Sequence, residues 1–159
     1  MKNANNKKIR TLIRASVLVL VLVIALCPFL RLSVGAEGLY EAGSEEFFSS
    51  RDLIARVVEC IAPDRSYAAR QAIAAVIVNR IKDSRFPSDL YSVIYQRGAF
   101  ECVSKEGFDR VTPSYLSKVA ARDALLGFDI SSGAVYFRRG YPSERAGSCF
   151  YHDGYLFYR

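Results

Sequence analysis

Residues 67–82, YAARQAIAAVIVNRIK, are the stretch that decides the fold. Its large apolar side chains are Ile73, Val76, Ile77 and Ile81, and alanines lie between them, so the segment is apolar around almost its whole circumference. A helix with that composition is buried on all sides in a globular domain. Small alanine side chains also let neighbouring helices approach closely. We therefore predict a central helix over residues 67–82, surrounded by the rest of the domain.

Two further helices are predicted, one on each side of this segment. Ser49-x-x-Asp52 has the form of a capping box, and an apolar stripe at helical spacing runs from Leu53 to Ile61. The sequence at 63–66, Pro-Asp-Arg-Ser, ends that helix. Thr112-Pro113 supplies an N-cap and a first-turn proline for another helix, which stops at Gly127.

Beyond Gly127 the apolar pattern changes to that of strands. Residues 134–137 predict one strand, and residues 149–152 and 155–159 flank Asp153-Gly154, a strong signal for a two-residue hairpin turn. Helices followed by strands indicate an α+β domain over residues 49–159, with about three helices and then a small antiparallel sheet that ends in a hairpin. Residues 37–48 are acidic and contain glycine, which predicts a short linker.

The net charge of +6, from 22 basic and 16 acidic residues, belongs entirely to residues 1–36. This segment has a basic start, an uncharged apolar run over 15–30, and small residues before Glu37. It predicts a signal peptide, or else an uncleaved signal anchor through residues 15–30, and both interpretations place the remainder outside the cytoplasm. The remainder has equal numbers of acids and bases, so composition does not favour nucleic-acid binding.

The small numbers of histidine and cysteine residues limit the kinds of metal or catalytic site that the chain can form. The chain has one histidine, His152 beside the predicted hairpin turn, so a site with several histidine metal ligands is excluded. After the leader, Cys60, Cys102 and Cys149 remain, and they are compatible with one disulfide plus a free thiol or with three reduced thiols. Their scattered spacing does not favour zinc, and we predict neither a metal nor a cofactor. Carboxylate chemistry remains, since it needs only one or two acids.

Several blocks of the sequence, taken together, resemble a known family. In chain order they are RQAIAAVIVNRI (70–81), SRFP (84–87), VIYQRGAF (93–100), TP (112–113), ARDALLGFDISSGAVYF (121–137) and FYR (157–159). In order and spacing they resemble the cell wall hydrolase family of the spore cortex-lytic enzymes. The resemblance extends from about Leu53 to Arg159 and therefore covers the predicted domain.

The resemblance implies a compact lysozyme-like α+β fold that acts on peptidoglycan glycan strands. Active members would cleave between N-acetylmuramic acid and N-acetylglucosamine in the manner of lytic transglycosylases. One glutamate acts first as acid and then as base, while the muramic 6-hydroxyl closes an anhydro ring, so neither metal nor cofactor is required. An exported protein of the cell envelope or extracellular space is expected, with contact to a membrane only through its N-terminal segment. An accessory protein is a further candidate partner.

The chain departs from the resemblance at the catalytic motif. Active relatives carry E-A-R-G-E, and the ungapped register places Ile61-Ala62-Pro63-Asp64-Arg65 there, with Ile61 in the position of the acid. Arg70 replaces the family's glutamine. Glu59 is the first candidate for a displaced catalytic acid, although two residues along a helix rotate a side chain by about 200°. Glu101 is the second candidate.

Other matching positions are candidates for substrate binding: Asn79, Tyr95, Gln96, Phe100 and Tyr136. The chain contains no tryptophan, so tyrosine and phenylalanine are the only large rings on which sugars could stack. Two functions stay open on the sequence. One is a lytic enzyme that uses a displaced glutamate, and the other is an inactive relative that binds peptidoglycan or a partner enzyme.

Overall fold

The computed structural model describes residues 39–141 and 149–159. The predicted leader at 1–36 and its apolar run at 15–30 lie outside the described residues. The residues that are described belong to one compact unit, Ala36–Arg159. Within that part of the chain, no helix combines the length and the apolar character that crossing a bilayer requires.

Four α-helices and a three-stranded sheet make up the described part of the chain. The helices are α1 (Glu45–Ile61), α2 (Tyr67–Lys82), α3 (Leu90–Tyr95) and α4 (Tyr115–Leu125), with a 3₁₀ turn at Phe108–Arg110 before α4. The strands are β1 (Tyr136–Arg139), β2 (Phe150–His152) and β3 (Tyr155–Tyr158). The predicted α+β class, with helices first and a small antiparallel sheet last, is therefore confirmed.

Helix α2 lies at the centre, as its composition predicts. Every residue from Ala69 to Val78 is buried, and α2 packs against α1, α3 and α4. Its N-cap is Ser66, whose hydroxyl accepts a hydrogen bond from the Ala69 amide at 3.4 Å. The hydrophobic core forms around this helix, so the other elements take their positions from it.

Helix α1 begins four residues before the predicted capping box, which corrects the assignment of 37–48 as a linker. Its N-cap is Ser44, whose Oγ accepts from the Phe47 amide at 3.0 Å, and two glutamates in the first turn suit the positive end of the helix dipole. Ser49 lies inside the helix, and its hydroxyl donates to the Glu46 carbonyl. Burial of Phe47 adds an apolar contact that a free linker would lack.

Helix α4 begins two residues later than Thr112-Pro113 predicts. Ser114 is its N-cap, with Oγ accepting from the Ser117 amide at 3.4 Å. Residues Leu90–Tyr95 form a further helix, α3. The Asp89 carboxylate caps it by accepting a hydrogen bond from the Ser92 amide at 2.8 Å. The later start of α4 arises because Thr112 and Ser114 can each cap a helix, and packing selects between them.

The three strands form an antiparallel sheet in the order β1-β3-β2. The turn between β2 and β3 is the predicted one, with φ of 41° at Asp153 and 87° at Gly154, as a type I′ turn requires. Strand β1 starts at Tyr136, slightly later than the predicted 134–137, and it pairs with β3 so that Arg139 lies opposite Tyr155. This register places the Arg139 side chain, from β1, beside the Tyr155 ring, from β3.

Because α2 is buried, we expect Ile73→Ala to destabilise the protein strongly. Ile73 is fully buried, so the truncation should lower the free energy of unfolding by about 2 to 5 kcal/mol, which urea denaturation measures. Leu116→Ala on α4 is the control, because Leu116 is exposed and should cost less than about 1 kcal/mol. Equal costs at the two positions would contradict the central placement of α2.

Candidate functional site

A cavity of about 480 Å³ lies where the end of α1 meets the segment 98–105, β1 and β3. Its walls carry three aromatic rings, three cations, one carboxylate and two thiols. The residues that line it are Cys60, Ile61, Arg80, Gly98, Ala99, Phe100, Glu101, Cys102, Lys105, Phe137, Arg139 and Tyr155. Rings beside hydrogen-bonding groups suit a sugar, which presents both apolar faces and hydroxyls.

Ile61, the last residue of α1, lies in the wall of this cavity. Its backbone carbonyl accepts from the Tyr155 hydroxyl at 2.8 Å and from Arg139 Nη2 at 3.0 Å. These two bonds satisfy a carbonyl that the helix end leaves without an intrahelical partner. The backbone of Ile61 is therefore held at the cavity, and its apolar side chain cannot transfer a proton.

Arg80 contributes a buried positive charge to the cavity. It is 7% exposed, its Nε donates to the Val135 carbonyl at 2.8 Å, and its guanidinium lies 5.0 Å from the ring centre of Phe100 and 5.1 Å from that of Phe86. Burial lowers the pKa of Arg80, although the residue stays charged at neutral pH. Across residues 39–141 and 149–159 no carboxylate forms an ion pair with it. The cavity thus has a cationic character that Lys105 and Arg139 reinforce.

Glu59, the first candidate acid, does not line the cavity. Its Oε2 accepts from the Ser114 amide at 2.9 Å, from the Ser114 hydroxyl at 2.6 Å and from Arg70 Nη1 at 2.9 Å. Burial raises the pKa of Glu59, but hydrogen bonds from Ser114 and Ser117 and the charge of Arg70 outweigh it and hold the pKa below its ordinary value. A general acid needs the opposite shift, so this environment favours a structural carboxylate.

The partner of Glu59 is Arg70, which lies in α2. Arg70 is 4% exposed, and its Nη1 also donates to the hydroxyls of Ser114 and Ser117 at 2.9 and 2.7 Å. Its Nε donates to the Arg65 carbonyl at 2.9 Å, and its Nη2 donates to the Pro63 carbonyl. One guanidinium therefore connects the end of α1, the following turn and the start of α4.

Glu101, the second candidate acid, does line the cavity and is the one carboxylate among the lining residues. Its side chain is exposed, and within the described part of the chain only its backbone carbonyl is hydrogen-bonded, by the Ser104 hydroxyl at 3.1 Å. Phe100 beside it also lines the cavity. These two are the candidate site residues that the structure brings together.

Asn79 lies away from the cavity and holds a loop. Its Nδ2 donates to the Asp129 carboxylate and to the Ala134 carbonyl, both at 3.0 Å. Asp129 also accepts from the amides of Ser131 and Gly133 at 2.7 Å each, and these bonds with that of Asn79 hold its pKa below the ordinary value despite burial. The contacts of Asn79 are those of a residue that fixes the connection from α4 to β1.

The remaining binding candidates also lie outside the cavity lining. Tyr95 is half exposed and stacks on Tyr91, with ring centres 4.2 Å apart. Gln96 caps the end of α3, and its carbonyl accepts from the Ala99 amide at 2.9 Å. Tyr136 stacks on Tyr158 at 5.5 Å. Each has a structural contact that accounts for its position.

The cavity residues that were not among the sequence candidates include Lys105, Arg139 and Tyr155. Arg139 and Tyr155 are paired across β1 and β3, and Arg139 Nε donates to the Tyr155 hydroxyl at 3.2 Å. The hairpin signal at 153–154 identifies β3, but nothing local identifies β1 as its neighbour. The pairing of Arg139 with Tyr155 could therefore be found only in the three-dimensional structure.

Comparison with known proteins decides the family. A sequence model described as Cell Wall Hydrolase matches residues 64–153, more than half of the chain. The chain belongs to the cell wall hydrolase family. The match begins at Asp64, so Ile61 lies just outside it. The predicted family resemblance is confirmed.

Curated relatives of this family member are spore cortex-lytic enzymes. The chain is 38% identical over 85 residues to one from Halalkalibacterium halodurans, covering 54% of this chain and 26% of that protein. It is 36% identical over 92 residues to one from Bacillus subtilis strain 168, covering 57% and 30%. The chain thus matches about a quarter to a third of the length of these relatives.

Solved structures give the same family and fold. The catalytic domain of the Bacillus cereus SleB protein superposes with a TM-score of 0.62 at 25% identity, covering 79% of this chain and 99% of that one. The catalytic domain of the germination-specific lytic transglycosylase SleB from Bacillus anthracis has a TM-score of 0.62 at 24% identity, covering 76% and 100%. This cell wall hydrolase family member thus shares the architecture of a complete catalytic domain.

The Glu59–Arg70 pair predicts a pH-dependent loss of stability. Because folding lowers the pKa of Glu59, its contribution is present above the ordinary value of about 4.5 and is lost as the pH falls through the folded value. Glu59→Gln should lower the free energy of unfolding by about 2 to 3 kcal/mol at pH 7, since Arg70 loses its charged partner. Urea denaturation between pH 7 and pH 3 should show the difference from wild type shrinking toward acid.

Glu106→Gln is the matched control for this prediction. Glu106 is exposed and has no hydrogen bond within the described residues, so its loss should change stability by less than about 0.5 kcal/mol. An effect of Glu59→Gln no larger than that of Glu106→Gln would contradict the structural role.

Proposed function

We propose that this cell wall hydrolase family member is exported and binds peptidoglycan glycan strands in the cavity at the end of α1 without cleaving them. The observation that carries the proposal is Ile61. Its side chain lines the cavity at the position that the family resemblance assigns to the catalytic glutamate. Lytic transglycosylation needs a group that gives and then takes a proton there, and an isoleucine does neither.

Retained binding chemistry supports a role on glycan. Phe100, Phe137 and Tyr155 supply rings on which the apolar face of a sugar can stack. Lys105 and Arg139 supply exposed donors. Muramic acid carries peptide stems with free carboxylates, and cationic donors bind such groups through charge-assisted hydrogen bonds. The chain has therefore lost a proton donor and kept groups that recognise its family's polymer.

Glu59 offers no replacement for the missing acid under this proposal. Its carboxylate is paired with Arg70 and bonded twice to Ser114, and it is absent from the cavity wall. Using it as an acid would require breaking an ion pair in which the Arg70 side chain is only 5% exposed. We infer that Glu59 and Arg70 form an ion pair that stabilises the fold and takes no part in catalysis.

A second candidate function is a lytic enzyme that uses Glu101. The observation that favours it is the place of Glu101 in the cavity wall, with aromatic Phe100 beside it. A carboxyl there could reach a bound glycosidic oxygen if the strand lay against the segment 98–105. Glu101 is exposed to solvent, which argues against this function, because a catalytic general acid works in an apolar enclosure.

Incubation of the purified protein with peptidoglycan separates these two functions. We expect the protein to sediment with insoluble peptidoglycan and mass spectrometry to find no anhydro-muropeptides. Lys105→Gln should weaken sedimentation about tenfold, since one charge-assisted hydrogen bond contributes about 1.5 kcal/mol. Lys118→Gln, which removes the same charge from α4 outside the cavity, is the control.

Anhydro-muropeptides from the wild-type protein would overturn the non-catalytic proposal. If their formation then stopped in Glu101→Gln and persisted in Glu59→Gln, the second candidate would replace it. Failure of the protein to sediment, without any products, would contradict both functions.

Restoring the acid tests the alignment of the cavity with the family's active site. Ile61→Glu should produce anhydro-muropeptides, because it returns a carboxyl to the cavity, where acid–base catalysis contributes about 10² to 10⁴ in rate. Ile61→Gln has the same size without the acid and is the matched control, with circular dichroism confirming that both variants fold. Equal product formation, or none, from the two variants would contradict the assignment of position 61.

A further inference from the structure

Two cysteines lie side by side in the wall of the cavity. Cys60 is in the last turn of α1, directly before Ile61, and Cys102 directly follows Glu101 on the opposite segment. Cys102 is buried, and Cys60 is partly buried and packs against the hydrophobic core. Cys149, the third thiol among the described residues, lies before β2 and does not line the cavity.

Their surroundings argue against a catalytic nucleophile or a metal site. Burial, together with the neighbouring Cys60 thiol, raises the pKa of the Cys102 thiol to about 12, so Cys102 is protonated at neutral pH. The histidine ring, at His152, contacts the Ile130 carbonyl instead of a thiol. In the part of the chain that is described, no three histidine, cysteine or acidic side chains are grouped as metal ligands. What two neighbouring thiols can do without further groups is form a disulfide.

We propose that Cys60 and Cys102 form a disulfide that ties the end of α1 to the segment carrying Phe100 and Glu101. The cross-link would join two walls of the cavity beside Ile61. It closes a loop over residues 61–101, which contains the whole of α2 and α3. A disulfide across a loop of that length stabilises mainly by restricting the unfolded chain.

The bond forms by thiol–disulfide exchange with an external disulfide, which is the oxidant. The Cys60 thiolate attacks one sulfur of that disulfide and expels the first thiolate, leaving a mixed disulfide on Cys60. Cys102 then loses its proton, attacks Cys60 Sγ and expels the second thiolate. Both expelled thiolates take up the protons lost by the cysteines, so two protein thiols are oxidised by two electrons and the external disulfide is reduced to two thiols.

The consequence for the site is a fixed spacing of the cavity walls. Phe100 and Glu101 lie within two residues of Cys102, and Ile61 adjoins Cys60. With the cross-link in place, the segment 98–105 cannot move away from the end of α1 without local unfolding. The proposal does not depend on glycan binding or cleavage, because its readout is a covalent bond.

Peptide mapping of the full chain tests the proposal directly. The protein, purified under reducing conditions, is equilibrated with oxidised and reduced glutathione, alkylated and digested with trypsin without reductant. We expect the peptides 57–65 (VVECIAPDR) and 98–105 (GAFECVSK) to be recovered joined, and the peptide containing Cys149 to be alkylated. Absence of the joined pair, or a bond from Cys60 or Cys102 to Cys149, would overturn the proposal.

Thermal unfolding supplies a second measurement. In a Cys27→Ser, Cys149→Ser background only the pair remains, and oxidation should raise Tm by about 10 °C. Cys60→Ser in the same background should show no rise, and Cys102→Ala covers the case in which a serine at the buried position prevents folding. A joined peptide without any rise in Tm would contradict the proposed restraint on the unfolded chain.

Discussion

The Arg70 guanidinium is the contact on which the arrangement of helices depends. It is almost fully buried, and all of its bonds go to segments that the chain brings together only on folding: the Glu59 carboxylate, the Pro63 and Arg65 carbonyls, and two serine hydroxyls at the start of α4. Burial of a cation costs free energy unless hydrogen bonds and an opposite charge compensate for the lost hydration. The orientation of α1, the turn after it and α4 are therefore set together by one side chain.

This network joins the last turns of α1 to the start of α2 through Glu59 and Arg70. An arginine at 70 needs a carboxylate, and Glu59 supplies it from the helix face that points away from Ile61. Glu59 is therefore bound within the fold, and Ile61 lines the cavity instead. The Ile61 carbonyl accepts hydrogen bonds from Tyr155 and Arg139. The chain thus has the fold of the catalytic domain that it resembles, and its cavity is lined by rings and cations.

Local signals predicted the central elements well. The bounds of α2 follow from the apolar run at 72–78 and from Ser66 and Asp83, which flank the helix, and the hairpin follows from a dipeptide that tolerates positive φ. Helix starts were less predictable, because Ser44 and Ser49, or Thr112 and Ser114, can each cap a helix and packing decides between them. The family resemblance placed Phe100 and Glu101 at the cavity, whereas the other binding candidates have structural contacts elsewhere.

The sequence by itself determined the family, the α+β class and the buried central helix. These depend on the order of residues and on periodicities within single segments. Only the tertiary structure decided that Glu59 pairs with Arg70, that Arg139 and Tyr155 join Ile61 at the cavity, and that Cys60 neighbours Cys102. Those contacts join residues 11 to 94 positions apart, and their formation depends on how helices cross and how strands pair. Neither the crossing of helices nor the pairing of strands can be predicted from any single segment of the sequence.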